Sequence, residues 1–256
     1  MRYPKGTFVV SRERDIPLLL QVRNSRFITH QQLFEFMLHG GQDYSRNTFD
    51  WRTKRLVCAE YIFRCQGQFG KGSTVYRITP SGLLQLEDHG HFATVLNSKT
   101  EHLPHPSQVL HALELNAIHL ALLHADVLAI WRSDVETASA NTLSRVPLAK
   151  DYDAVVDVWN NDNLARFALE YERTLKSARQ YDKIAQALES EDQIGCILYV
   201  TAGAEIVDHL VQELSGIPKR LAFATAREFR NGLLDTPVVI HCNQPKVPFR
   251  QLLSMF

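Results

Sequence analysis

No two of the four cysteines, Cys58, Cys65, Cys196 and Cys242, form a C-x-x-C pair, and most of them sit among apolar neighbours. That spacing argues against a zinc centre and a disulfide framework, and reduced, buried thiols are what a cytoplasmic protein carries. The chain also lacks an apolar segment near its N-terminus and any apolar run of membrane-spanning length, so neither export nor membrane insertion is expected. Net charge is missing too: 28 Lys and Arg stand against 28 Asp and Glu. A chain that is neutral overall is a poor generic binder of polyanions. What is present is 256 residues with 45% hydrophobic content, material for two compact domains.

The neutrality conceals a division. Residues 1–80 hold 13 Lys and Arg against 6 Asp and Glu, a net +7, whereas residues 81–256 hold 15 against 22, a net −7. A positive field confined to one module gives salt-sensitive affinity for a polyanion there without making the whole surface adhesive.

Within the basic part, SRNTFDWRTKRLVCAEYI (residues 45–62) has an apolar stripe through Phe49, Leu56 and Tyr61 at helical spacing, with Ser45 as N-cap. Its polar face carries Arg46, Asn47, Arg52, Lys54 and Arg55, residue types that hydrogen-bond purine edges and grip phosphates. Two strand-like runs follow, Tyr61–Cys65 and Thr74–Ile78, joined by QGQFGKGS, with Lys71 at the loop tip. Upstream, Asp15–Arg23 and Thr29–Leu38 read as short helices. Downstream, Thr79-Pro80-Ser81-Gly82 opens another, with Pro in its first turn. Three helices followed by a hairpin spell a winged helix-turn-helix, and the expected partner is double-stranded DNA.

Polar text with two prolines from Ser98 to Pro106 marks a linker. The organisation expected is a winged-helix domain over 1–96, a linker over 97–106 and an α/β domain over 107–256, α+β overall. The second domain opens with a long helical pattern, HPSQVLHALELNAIHLALLHADV, on which His105, His111 and Asn116 are candidates for a partner or a site. The chain has eleven histidines, among them His102, His105, His111, His119 and His124, and no metal is assigned to them. Ala125–Trp131 reads as a buried strand, the text through Pro147 as a loop, and Tyr152–Trp159 and Arg166–Glu172 as strands joined by a turn at residues 160–163. A helix over Thr174–Leu188 carries Lys176, Arg179 and Lys183. Then come a central strand at Gly195–Thr201, a helix at Glu205–Leu214, a strand at Arg220–Thr225, a turn at Arg227–Phe229 and an edge strand at Pro237–Cys242.

Alternation places Asp153, Val155 and Asp157 on one face of the first strand of that pair, and Ala168, Glu170 and Glu172 on one face of the second. Carboxylates at this density repel unless a cation, a basic partner or a proton neutralises them, and hard oxygen ligands suit Mg²⁺ or Mn²⁺.

An Asp followed a strand and turn later by Glu-x-Glu resembles the PD-(D/E)XK nucleases. Two departures stand out: Glu172 occupies the position of the usual Lys, and Tyr152 that of the leading Pro. The resemblance implies a metal at Asp153 and Glu170, with Glu172 or Lys176 handling the attacking water. The winged helix together with HPSQVLHALELNAIHLAL, DYDAVVDVW, FALEYERTLKSARQYDKI and ILYVT is similar to the replication-relaxation family across nearly the full chain. In that family an Asp opens the first strand and Glu-x-Asp-Arg lies in the second, where this chain has Asp153 and Glu170-Tyr171-Glu172-Arg173. That resemblance implies DNA binding in plasmid or mobile-element replication, mobilisation or regulation, with a nuclease-like domain. Three functions stay open: a dimeric, sequence-specific DNA-binding protein, a metal-dependent DNA endonuclease, and an interaction scaffold, against which the +7 of the first 80 residues argues.

Overall fold

The computed structural model describes residues 9–65, 74–94, 105–214, 216–241 and 244–254, and the chain divides into two compact units, residues 1–116 and 117–256. The first unit runs α1 (Asp15–Ser25), β1 (Ile28–Thr29), α2 (His30–His39), α3 (Arg46–Cys58), β2 (Ile62–Cys65), β3 (Val75–Ile78) and α4 (Pro80–Asp88). Its strands form an antiparallel sheet in the order β1-β3-β2. Three helices followed by a hairpin, with a short third strand beside it, is the winged-helix arrangement.

Local chemistry sets the boundaries. Thr29 and Gln32 form a capping box at the start of α2, and the Ser45 hydroxyl accepts from the Thr48 amide at 3.3 Å to open α3. That helix stops at Cys58, short of the expected extension to Ile62, because Glu60 takes a left-handed conformation (φ 58°) that turns the chain into β2. Thr79 caps α4 by accepting from the Gly82 amide at 3.0 Å, with Pro80 in the first turn. A Cβ at position 82 would lie 2.1 Å from the Tyr61 carbonyl oxygen, so only glycine lets α4 close against the hairpin. Leu18, Leu19, Val22, Ile28, Leu33, Phe49 and Leu56 are fully buried beneath these elements, each worth about 1.5–3 kcal/mol of burial. The strand β1 has only two residues, too few for alternation to reveal.

The helix α5 (Pro106–His124) is shared between the units. Val109 packs with Cys65 and Val75, Gln32 Nε2 donates to the Leu113 carbonyl at 2.8 Å, and Asn116 Nδ2 donates to the Phe27 carbonyl at 2.8 Å. Asn116 is thus occupied inside the first unit. The division between units falls within α5, later than the expected domain start at 107. Most of the expected linker, residues 97–104, lies outside the described residues.

The second unit continues with β4 (Leu128–Ser133), α6 (Asp134–Leu143), β5 (Ala154–Asn160), β6 (Asn163–Glu172), α7 (Ala178–Glu189), β7 (Cys196–Thr201), α8 (Ala204–Leu214) and β8 (Arg220–Thr225). It closes with α9 (Ala226–Gly232), β9 (Pro237–Val238), β10 (Val247–Pro248) and α10 (Phe249–Leu253). Five strands form one mixed sheet in the order β4-β5-β6-β7-β8, antiparallel from β4 to β6 and parallel from β6 to β8. A two-residue turn joins β5 to β6, with Asn161 at φ 55°, a conformation asparagine tolerates. The crossover helices α7 and α8 cover one face, where Tyr181, Leu188, Ile206 and Leu210 pack with Val155, Ala168, Ile197 and Leu221. On the other face Phe249 meets Phe167 edge-on, with ring centroids 5.0 Å apart.

Five expectations are corrected here. The strand expected to be buried over Ala125–Trp131 is β4, which lies at the sheet edge with Ala129 and Ile130 exposed. The text before Pro147 contains α6, opened by a Ser133/Glu136 capping box, and is not all loop. Ser177 caps α7, so the helix begins at Ala178 and Lys176 precedes it. Arg227–Phe229 belongs to a helix rather than a turn. The expected edge strand over 237–242 contracts to β9, extended by one bridge between Val239 and Phe223, and Cys242 lies outside the described residues. Cys65 and Cys196 are buried free thiols, as their neighbours predict, but Cys58 is exposed.

Candidate functional site

Two side-chain groups bear on function, one in each unit. In the first unit α3 separates its charged residues by position. Arg52 follows Phe49 by three residues and precedes Leu56 by four, so it shares their inward face. There its Nη2 lies 2.9 Å from Asp43 Oδ1, and both side chains are buried. Burial holds the Arg52 pKa below its ordinary value, while Asp43 beside it acts in the opposite direction. Arg52 therefore does not belong to the outer polar face on which the sequence placed it. Arg55 pairs with the buried Asp15 and rests its guanidinium 5.1 Å from the Trp51 ring centroid. Arg46 donates to Asp50 Oδ1 at 3.0 Å and to Gln31 Oε1 at 2.6 Å and lies over Phe34. Asp50 in turn meets His30 Nε2 at 2.8 Å, and His30 Nδ1 meets the Tyr76 hydroxyl at 3.0 Å. The three arginines tie α3 to its own unit.

The outward stripe of α3 is left to Asn47, Trp51, Lys54 and Cys58, spaced four, three and four apart and all exposed. Among the described residues, the Asn47 and Lys54 side chains have no hydrogen bond or ion pair. Trp51 is 64% exposed and Tyr44, just ahead of the helix, 78%. The hairpin adds exposed Phe63 and Arg64, with the Arg77 guanidinium 5.1 Å from the Phe63 ring centroid. Residues 66–73, which include Lys71, lie outside the described residues. Sequence reasoning passed over Trp51, although its place four residues after Asn47 and three before Lys54 was signal enough.

The second group sits on the mixed sheet. The backbone register sets Glu170 opposite Tyr199 and Glu172 opposite Thr201, with Asp153 just ahead of β5. Asp153 Oδ2 accepts from the Tyr171 amide at 2.8 Å. Lys150, from the loop before β5, places its Nζ 2.7 Å from Glu170 Oε2, and Lys176 pairs with Glu172. Burial, reinforced by Asp153 and opposed by Lys150, pushes the Glu170 carboxyl above the usual carboxylate range, and burial lowers Lys176. Tyr199 is fully buried and its hydroxyl pKa is driven well up by burial and by Glu170. Glu170 Oε1 and the Tyr199 hydroxyl are buried without a hydrogen-bond partner among the described residues. The raised carboxyl and the lowered lysine thus sit in two separate ion pairs, Glu170 with Lys150 and Lys176 with Glu172.

The structure therefore gathers Asp153, Glu170, Glu172 and Lys176, as the sequence suggested, and adds Lys150 and Tyr199, which it did not. Asp157 separates from them: Arg166 binds it through both carboxylate oxygens at 2.6 and 2.9 Å, with Arg132 at 3.8 Å. The hydrogen bonds from Arg166 hold its pKa below the ordinary value. The gathered residues do not fit a divalent cation as they stand. An ammonium group already balances Glu170 and another Glu172, and among the described residues no three of His, Cys, Asp and Glu are placed to share a metal. His119, one of the histidines of the α5 region, stacks on Trp131 at 4.3 Å. Among the described residues no helix is long and apolar enough to cross a membrane.

Comparison with protein-family models, curated proteins and solved structures returns no match for this chain.

Proposed function

We propose that this protein binds double-stranded DNA sequence-specifically, with the outward stripe of α3 in the major groove and the hairpin against the backbone. The observation that carries this reading is the stripe itself. Asn47 and Lys54 stand on the third helix of a winged-helix arrangement with no hydrogen bond or ion pair among the described residues, and Trp51 between them is mostly exposed with Arg55 over its ring, whereas Arg46, Arg52 and Arg55 are engaged within the unit. The net +7 of residues 1–80 supplies the electrostatic attraction.

In this reading the second unit pairs with a second copy, so that two winged helices meet two half-sites and gain the affinity one small module lacks. Two features support pairing: β4 lies at the edge of the sheet, and Ile130, Trp159 and Leu164 are exposed near it around the buried Asp157. The lysine-balanced carboxylates favour a binding role over an endonuclease. The resemblance to the replication-relaxation family supports a setting in a plasmid or mobile element within the cytoplasm. The test incubates the full-length protein with supercoiled and linear DNA, with and without Mg²⁺ or Mn²⁺. Retarded but uncut DNA in every arm is expected. Metal-dependent cleavage would overturn the binding-only assignment, and absence of any retardation would overturn DNA binding.

A further inference from the structure

Resting on the DNA-binding reading above, we propose that the outward stripe of α3 recognises a short A·T-containing segment, with Asn47 reading an adenine and Trp51 packing on the methyl group of a thymine within two steps of it. A carboxamide offers one donor and one acceptor side by side, which matches the N6 amino and N7 positions of adenine in the major groove. Guanine presents two acceptors there and leaves the carboxamide oxygen without a donor. The Asn47 side chain is exposed, has no intramolecular partner among the described residues, and lies at the start of α3, the end from which recognition helices meet base edges.

Trp51 is the second element of the match. A tryptophan 64% exposed on a helix is apolar surface that the fold leaves uncovered, and the thymine methyl is the apolar feature of the major groove. Four residues of helix rise about 6 Å, close to two base-pair steps of about 3.4 Å each, so Asn47 and Trp51 reach pairs within two steps of each other. Lys54, one turn further, has no hydrogen bond or ion pair among the described residues, which leaves its ammonium for a phosphate or a guanine oxygen. The nearby Asp50 carboxylate does not repel the groove unopposed, because it is turned to His30 and Arg46. Arg55 lies over Trp51 and restricts the ring's motion, which lowers the entropy lost when the ring meets DNA.

The experiment selects a preferred duplex for the full-length protein from a random pool, then measures affinity for that duplex with thymines replaced by uracil or adenines by 7-deazaadenine. Uracil removes only the methyl group, and 7-deazaadenine only the N7 acceptor. Wild-type affinity is expected to fall about tenfold for one uracil position and one 7-deazaadenine position within two steps of each other, the equivalent of about 1.4 kcal/mol each. Trp51→Ala should be insensitive to that uracil and Asn47→Ala to that 7-deazaadenine, both variants keeping the wild-type melting temperature. A selected duplex whose affinity is unaffected by every such replacement overturns the A·T assignment while leaving DNA binding standing. A pool that yields no bound duplex overturns both.

Discussion

Arg52 and Asp43 form a buried ion pair, Nη2 to Oδ1 at 2.9 Å, at the point where the chain enters α3. Both charges have left water, so each depends on the other. Arg52→Ala strands the Asp43 carboxylate and should destabilise the first unit by about 3–5 kcal/mol in chemical denaturation. Replacing the pair with apolar residues of similar volume, Arg52→Met with Asp43→Leu, should recover most of that loss. If Arg52→Ala leaves stability unchanged, the inward placement of Arg52 is wrong.

Asp157 and Glu170 respond to pH in opposite directions. Arg166 holds the Asp157 pKa down, so the stabilising contribution is present above the ordinary value of about 3.9 and is lost as pH falls through the folded-state value. Asp157→Asn should cost about 1 kcal/mol at pH 7, a modest figure because Arg166 is half exposed. The difference from wild type should shrink in melting curves taken from pH 6 down to pH 3.

Burial holds the Glu170 pKa up, so the folded protein binds this proton more tightly than the unfolded chain does. Stability tied to Glu170 is therefore full below the ordinary value of about 4.3 and declines as pH rises through the folded-state value. Glu170→Gln removes that cost and should raise the melting temperature at pH 7 more than at pH 4. Lys150, already partly exposed, would turn to water in this variant. A variant less stable than wild type at pH 7 would contradict the burial argument.

Cys58 ends the outward stripe of α3 and is exposed, whereas Cys65 and Cys196 are buried. Alkylation followed by peptide mass analysis should modify Cys58 readily in the free protein and more slowly when saturating double-stranded DNA is present. An unchanged rate would place the bound DNA elsewhere.

The winged helix was legible because its signals are local. Ser45 and Thr79-Pro80 announce helix starts, and the two runs around QGQFGKGS announce a hairpin. The helix α6 carried an equally local signal, Ser133 followed by Glu136, inside text whose polarity suggested a loop. The inward turn of Arg52 could have been read from its spacing to Phe49 and Leu56, but an arginine is expected to face water unless paired, and Asp43 lies outside the helix. Lys150 was not legible at all. It stands far from Glu170 in the chain, and the two meet only because β5 and β6 pair as a hairpin in the register that brings the loop before β5 alongside Glu170. Conversely, alternation alone put Asp157 with Asp153, since a period of two reports the face and not the neighbour that neutralises each acid.

The central claim is that DNA is read by the outward, exposed side chains of α3. The direct measurement is the affinity of the full-length protein for its selected duplex at fixed salt, compared with the triple variant Asn47→Ala, Trp51→Ala, Lys54→Ala. The account predicts a loss of at least about thirtyfold, from two or three contacts of roughly 1–3 kcal/mol each, with an unchanged melting temperature and a shallower salt dependence from the lost lysine. A folded triple variant that binds the same duplex as tightly as the wild type would contradict it.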